Sequence, residues 1–417
     1  MRNFSRSFSN SNNRSGGGSS FRGNSRGGGY SRGGGFGGRG RGGGRRQASF
    51  DPTHVILQAG IQKAEVVEQA VFQPKHQFSD FDIADVLKRN IADRGYTTPT
   101  PIQDEIMPHI IEGRDAVGIA NTGTGKTAAF LIPLLNKVLS NDNEQVLIIV
   151  PTRELALQVR EELDAFSGGL RIYSTLCIGG ASLFRQIESL RRGQHFVIGT
   201  PGRIKDLNIR RKLRFEDFTN IVLDEVDRML DMGFVHEVRA IIDRLPPERQ
   251  SLFFSATMTS RVQEIMRGFL TDPVVISVKQ QDTTASVQQE VVKLHGRSKI
   301  EVLHDLLISE GFDKVLVFGR TKHGTEKLTR DLQDRGFKVD SIHGNKSQGQ
   351  RQRALRDFKT NRLQALIATD VVSRGVDIDN VSHVINYDLP ESYEDYIHRI
   401  GRTGRADKLG TALTFVE

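Results

Sequence analysis

Short, almost wholly apolar runs alternate along this chain with stretches of helical periodicity, and that alternation restricts its fold more than any other feature. The runs at 116–119, 146–150, 196–199, 221–223 and 252–254 lack the polar alternation of a half-exposed strand, so both faces of each are expected to be buried. Helical stretches such as 127–139 and 154–165 lie between them. Strands that alternate with helices predict an α/β fold built on a doubly wound parallel sheet. After Asp272-Pro273 and the run 274–278 comes a polar stretch, 279–289, rich in Gln, Asp, Thr and Ser, which reads as a hinge. The alternation then restarts at 315–318, 339–342, 365–368, 383–386 and 411–416. The expected organisation is a tail (1–50), an N-terminal extension (51–77), a first α/β domain (78–273), a linker (274–289) and a second α/β domain (290–417).

The tail has a different chemistry. Residues 1–47 contain 16 Gly and no Leu, Ile or Val, too little apolar surface to offset chain entropy, so disorder is expected. The chain's formal charge is +8 and that of the first 50 residues, with ten Arg and no Asp, Glu or Lys, is +10, so residues 51–417 sum to −2. An anion bound by the folded part must therefore be held by local geometry rather than bulk charge. Within the tail, Arg26-Gly27-Gly28-Gly29-Tyr30 and Arg32-Gly33-Gly34-Gly35-Phe36 space guanidinium groups and rings along a pliable backbone. That pattern suits a sequence-tolerant RNA-binding arm, and a solvated linker or solubility tail is the plain alternative. The Arg- and Ser-rich start is also compatible with a transit peptide, although it has no aliphatic residues to make an amphipathic helix. No signal-peptide core is present, and a cytoplasmic location is expected. No run approaches the roughly 18 apolar residues of a membrane-spanning helix, so no membrane partner is expected. The single cysteine, Cys177, cannot form an internal disulfide.

The run 116–119 leads into Ala120-Asn121-Thr122-Gly123-Thr124-Gly125-Lys126-Thr127 and then an apolar helix. A strand, a glycine-rich loop and a helix in that order form a phosphate cradle, with backbone N–H groups and the helix dipole facing the anion. Lys126 is expected to reach the β- and γ-phosphates and the Thr127 hydroxyl to ligate Mg²⁺. The run 221–223 delivers Asp224-Glu225-Val226-Asp227 at its carboxyl end, where α/β sheets place their ligands. Asp224 is the expected second Mg²⁺ ligand, and Glu225 the group that orients and deprotonates the attacking water. The two sites together predict hydrolysis of a nucleoside triphosphate.

Around these sites the sequence resembles the DEAD-box ATP-dependent RNA helicases of bacterial type, over about residues 78–417. The resemblance implies two tandem RecA-like domains, with ATP and Mg²⁺ as cofactors. Phe78, Tyr96, Thr98 and Gln103 match the family's adenine-reading element, in which Phe78 stacks nearby and the Gln103 amide selects ATP. Pro151, Thr152 and Arg153, then Gly179 and Gly180, then Thr200, Gly202 and Arg203 match RNA contacts of the first domain. Arg320, Thr321, Gly344, Thr369 and Arg374 match those of the second, and Gln348-Gly349-Gln350-Arg351 matches a further motif there. Ser255 and Thr257, with Asp227 and His398, are implied to couple the two ligands, with hydroxyl bonds to Asp227. Gly375 and Asp377 are implied near the nucleotide, and Arg402 and Arg405 as fingers on the γ-phosphate.

Two departures stand out. The family's namesake motif has Ala where this chain has Val226, and two extra methyls in a tight site cost about 1–3 kcal/mol in repacking. Family members also continue past the strand after Arg405 into a closing helix. The resemblance therefore implies either a fragment or a less stable last domain. The function expected is RNA-stimulated ATP hydrolysis coupled to domain closure on single-stranded RNA and local unwinding of short duplexes. The alternatives are an RNA chaperone or annealer acting through the Arg-Gly tail, and a DNA helicase. A monomer is expected, with RNA as the main partner and ribonucleoprotein or RNA-decay assemblies as protein partners.

Overall fold

A computed structural model describes residues 72–121, 123–278, 286–370, 381–404 and 409–416. The tail, most of the extension, Thr122, Arg374, Gly375, Asp377 and Arg405 lie outside the described residues.

The first sheet has seven strands: β1 (Ala116–Ile119), β2 (Val146–Ile149), β3 (Ser174–Cys177), β4 (Phe196–Gly199), β5 (Asn220–Leu223), β6 (Gln250–Ser255) and β7 (Val274–Ser277). They lie in the order β3-β4-β2-β5-β6-β1-β7, and every pairing is parallel. The second sheet has six: β8 (Val287–Lys293), β9 (Val315–Phe318), β10 (Val339–Ile342), β11 (Ala365–Ala368), β12 (His383–Asn386) and β13 (Gly410–Val416). Their order is β10-β11-β9-β12-β13-β8, again wholly parallel. Two doubly wound parallel α/β sheets are thus present.

The apolar runs behave as their composition requires. Along β2, Val146 and Ile148 enter one core with Phe130, Phe166 and Phe254, while Leu147 and Ile149 enter the other with Phe253 and Phe269. Alternate side chains stabilise opposite faces, each worth about 1.5–3 kcal/mol on full burial. Val226 is wholly buried in the second of these cores beside Met229 and Val238, so its extra methyls fill space in the packing.

Residues 274–289 differ from the sequence expectation of a linker. Val274–Ser277 pair with β1 and Val287–Lys293 pair with β13, so each belongs to a sheet. Both are edge strands: Val274–Ser277 is only partly buried, and Val287–Lys293 exposes Gln288, Glu290 and Lys293, which gives it a linker-like composition. Among the described residues, no helix is long and apolar enough to cross a membrane. Cys177 is buried, and burial pushes its thiol up to about 12, which leaves it unreactive near neutral pH.

Candidate ATP and RNA sites

The order of the first sheet divides its carboxyl edge into two halves. β1, β5 and β6 carry the phosphate loop, Asp224-Glu225 and Ser255-Ala256-Thr257. β2, β4 and β3 carry Pro151-Thr152-Arg153, Thr200-Pro201-Gly202-Arg203 and Gly179-Gly180.

In the first half, Gly125 ends the loop at φ +89°, and the helix Lys126–Ser140 begins behind it. Gly123 has φ +84° as well, so the loop is built on conformations that side chains disfavour. Lys126 is buried and donates from Nζ to the Ala120 carbonyl at 2.8 Å. Thr124 donates to the Asn121 carbonyl at 2.8 Å, which closes the turn. Thr127 follows in the first turn of the helix.

Asp224 is 2% exposed and accepts from the Glu225 backbone N–H at 2.9 Å. Burial pushes its carboxyl up to about 7; Lys126 pulls it down, and Glu225 and Asp227 push it further up. A buried carboxylate crowded by others calls for a cation, and Asp224 and the Thr127 hydroxyl are both oxygen donors. Those two groups fit Mg²⁺, which takes few protein ligands and keeps waters and phosphate oxygens for the rest. Glu225 is also buried, at φ 53° and ψ 50°, a left-handed conformation costing a non-glycine residue about 1–2 kcal/mol. Its carboxylate accepts from Arg228 Nη1 at 2.9 Å, and both side chains are under 8% exposed.

Asp227 joins this acidic turn to β6. Its Oδ2 accepts from the backbone N–H of Ala256 at 3.1 Å and of Thr257 at 2.9 Å, and from the Thr257 hydroxyl at 3.1 Å. The Ser255 hydroxyl donates instead to the Thr257 carbonyl at 2.8 Å. The link expected from hydroxyls alone is therefore carried by one hydroxyl and two backbone groups.

The residues expected to read adenine make contacts of their own within the first domain. Gln103 is fully buried; its Oε1 accepts from Thr100 N at 2.9 Å and its Nε2 donates to the Gly125 carbonyl at 3.0 Å. The amide thus ties the start of the helix Pro101–Ile111 to the phosphate loop. A side chain at Gly125 would collide with it. Phe78 is 5% exposed and meets Phe81 and Tyr96 edge-on, so it packs the wall of the element, while Thr98 stays exposed.

In the other half, Thr152 caps the helix Arg153–Phe166 by accepting from Leu155 N at 3.2 Å. The Arg153 guanidinium lies against Gly179 and Gly180, where any Cβ would strike it, and Gly180 has φ +77°. Thr200 is buried at the start of the helix Pro201–Ile209, and Gly202 is open. Arg203 donates to Gln186 Oε1 at 2.9 Å, and Pro151 is buried.

In the second domain, Thr321 caps the helix Lys322–Asp334, and the Arg320 N–H donates to Asp388 Oδ2 at 2.9 Å. Gly344 is exposed, and Thr369, just after β11, is buried. His398 and Arg402 lie on and just after the helix Tyr393–Ile400, and Arg402 is 4% exposed.

Two groups escaped the site residues expected from sequence. Arg399 is 2% exposed; its Nε and Nη2 donate to the two Asp370 oxygens at 2.6 and 2.7 Å, and its Nη1 to Asn386 and the Asp388 carbonyl. It fastens Tyr393–Ile400 to the ends of β11 and β12. Its signal in the sequence was its place between His398 and Arg402, both expected at the site. Glu154 is the second. It accepts from Arg351 Nη2 at 2.6 Å and Gln348 Nε2 at 3.1 Å, with its own side chain 3% and that of Arg351 8% exposed. Glu154 lies in the first turn of the helix that follows the loop of β2, so that end of the first sheet is bonded to the second domain's helix Gln348–Lys359.

A phosphate loop on β1, acidic residues on the non-adjacent β5 and a second parallel sheet docked alongside define a two-domain P-loop nucleoside triphosphatase of RecA-like fold. The chain matches the DEAD/DEAH box helicase family over residues 100–265 and the helicase conserved C-terminal domain over 298–407. It belongs to that family of helicases. It is 44% identical over 343 residues to ATP-dependent RNA helicase CshA of Listeria monocytogenes, covering 82% of this chain and 66% of that one. It is 44% identical over 342 residues to RNA helicase CrhR of Synechocystis, covering 82% and 70%. The chain thus spans about two thirds of the length of these curated relatives. Among solved structures it is similar to S. cerevisiae Dbp5 bound to RNA and ADP BeF3. There the TM-score is 0.72 with 29% identity, covering 82% of this chain and 89% of that one.

Proposed function

We propose that this chain is an ATP-dependent RNA helicase, in which RNA-stimulated hydrolysis is coupled to closure of two domains on a single strand. The observation that carries this reading is the buried bridge from Glu154 to Gln348 and Arg351, because it ties an RNA-contact element of one domain to the other.

In this reading the loop N–H groups and Lys126 hold the phosphates, Gly123, Thr124 and Gly125 shape the cradle, and Thr127 and Asp224 hold Mg²⁺. Mg²⁺ held there would supply positive charge to the phosphate oxygens. Glu225 takes the proton of the attacking water, and Arg402 and Arg405 meet the charge that develops on the γ-phosphate. Gln103 senses adenine by exchanging its bonds to Gly125 and Thr100. Gly375 and Asp377 approach the sugar, and Asp227, Ser255, Thr257 and His398 relay the state of the phosphates. Arg153, Gly180, Thr200, Gly202 and Arg203 meet the RNA backbone from one side, and Arg320, Thr321, Gly344, Thr369 and Arg374 from the other. Contacts to sugar and phosphate read no base sequence, and 2′-hydroxyls distinguish RNA from DNA. A strand bent by the closed domains leaves its duplex, at a cost of about 1.4 kcal/mol per stacked step on the DNA scale. Short duplexes are therefore opened locally.

The test is the steady-state ATPase rate with and without single-stranded RNA, beside DNA of the same sequence. Strong stimulation by RNA alone is expected, and equal rates with all three would overturn the reading. Arg351→Ala leaves Glu154 buried without its guanidinium, so closure weakens. The RNA-stimulated rate is expected to fall about 10- to 100-fold, the range of ordinary coupling energies, with the RNA-free rate unchanged. Retention of full stimulation would remove the bridge from the closure mechanism.

The tail supplies affinity rather than catalysis in this reading. For single strands the log–log salt slope is about −0.7 per phosphate neutralised. Deleting residues 1–47 is expected to make that slope shallower and to leave the saturated ATPase rate intact. An unchanged slope would mean that the ten tail Arg do not touch RNA.

A further inference from the structure

The three RNA-contact loops of the first domain line up along one sheet edge, from β2 through β4 to β3, and β3 is the outermost strand. The helix Leu183–Leu190 follows it in the chain, opened by Ser182, whose hydroxyl accepts from Arg185 N. Its inner side is anchored: Leu183, Ile187 and Leu190 pack on the core, and Gln186 donates to the Ile178 carbonyl at 3.0 Å. Gln186 also accepts from Arg203, so this helix is bonded to the loop after β4.

Its outer side carries Phe184, 72% exposed, the most exposed of the large apolar side chains among the described residues. Around it Arg185, Glu188, Ser189 and Arg192 line an open recess of about 390 Å³. Glu188 is paired with Arg191 at 2.6 Å. Arg185 and Arg192 are exposed and enter no ion pair among the described residues. One exposed apolar residue needs no explanation by itself. An exposed ring sharing one recess with two guanidinium groups, on an anchored helix that follows the outermost of the expected RNA-contact loops, has the chemistry of a base-stacking platform.

We propose that Phe184 stacks on an unpaired base of the RNA strand where it passes the β3 edge, with Arg185 and Arg192 on the neighbouring phosphates. The inference rests on the RNA-helicase reading and extends its binding track by one subsite. Stacking is indifferent to base identity, so the subsite lengthens the bound strand without adding sequence preference.

The chain contains no Trp, so Phe184→Trp introduces a single fluorescent reporter at the platform. With a non-hydrolysable ATP analogue, its emission is expected to be quenched by single-stranded oligonucleotides long enough to reach β3. The shortest ones that still stimulate ATPase should leave it unchanged. Phe184→Ala is expected to weaken binding of the long oligonucleotides about five- to tenfold, the low end for a one-sided stack, and to leave the short ones unaffected. Each of Arg185→Ala and Arg192→Ala should make the salt slope shallower by about 0.7. An unquenched Trp with RNA saturating, or unchanged affinity at every length while RNA still stimulates ATPase, would overturn the subsite and leave the helicase reading standing. Absence of any stimulation by RNA would overturn both.

Discussion

Glu225→Gln is expected to reduce ATP turnover by about 10²- to 10⁴-fold, the range contributed by a positioned general base. The substitution keeps size and shape in a site that is 5% exposed, and the amide oxygen can still accept from Arg228 at the place the carboxylate does now. The left-handed backbone at this residue is as accessible to Gln as to Glu, so the strand-to-helix turn is retained. Only the ability to take a proton from water is lost. Binding of ATP and RNA precedes that step, so the variant should accumulate with both bound. Turnover would be measured at saturating RNA and ATP, and RNA affinity in the presence of ATP by anisotropy. A variant that turned over at the normal rate would remove Glu225 from its role.

Lys126→Ala should be as damaging for a different reason. The ammonium is buried, held at the Ala120 carbonyl, and its charge is what pulls the Asp224 carboxyl down against burial and two neighbouring acids. Removing one preorganised electrostatic group of this kind costs about 10²- to 10³-fold in rate. A second consequence follows from the sign of the shift. Without Lys126 the Asp224 carboxyl rises further above about 7, so the anion that binds Mg²⁺ forms only at higher pH. The residual activity is therefore expected to move toward alkaline pH and to require more Mg²⁺. A pH–rate profile at several Mg²⁺ concentrations checks this, and an unshifted profile would detach Lys126 from the metal ligand.

The legible parts of the fold were those buried on both faces. The runs 116–119, 196–199 and 365–368 are strands at those same limits, because a central parallel strand has no solvent face to interrupt its apolar sequence. The strands Ser174–Cys177 and Val287–Lys293 were not read, and Val274–Ser277 was taken for linker. All three lie at sheet edges, where the apolar run is short or, as in Val287–Lys293, interrupted by exposed polar residues. Glycine-rich and acidic loops were legible too, since phosphate binding and hydrolysis demand particular residue types at fixed local spacing. Gln103 was recognised, but not that its amide holds the phosphate loop, because a contact 22 residues away leaves no local trace.

The sequence alone determined the two parallel sheets, the phosphate cradle, the acidic turn and the separate chemistry of the tail, because each is a local pattern of burial period, backbone freedom or charge. Tertiary structure alone decided which loops share a sheet edge, that Asp227 is held mainly by backbone groups, and that Arg399 fastens the ends of two strands. It also decided that Glu154 meets Arg351 across 197 residues. Burial turns such distant polar groups into obligate partners, since an unpaired buried charge costs several kcal/mol, and sequence spacing carries no record of which partner the fold supplies.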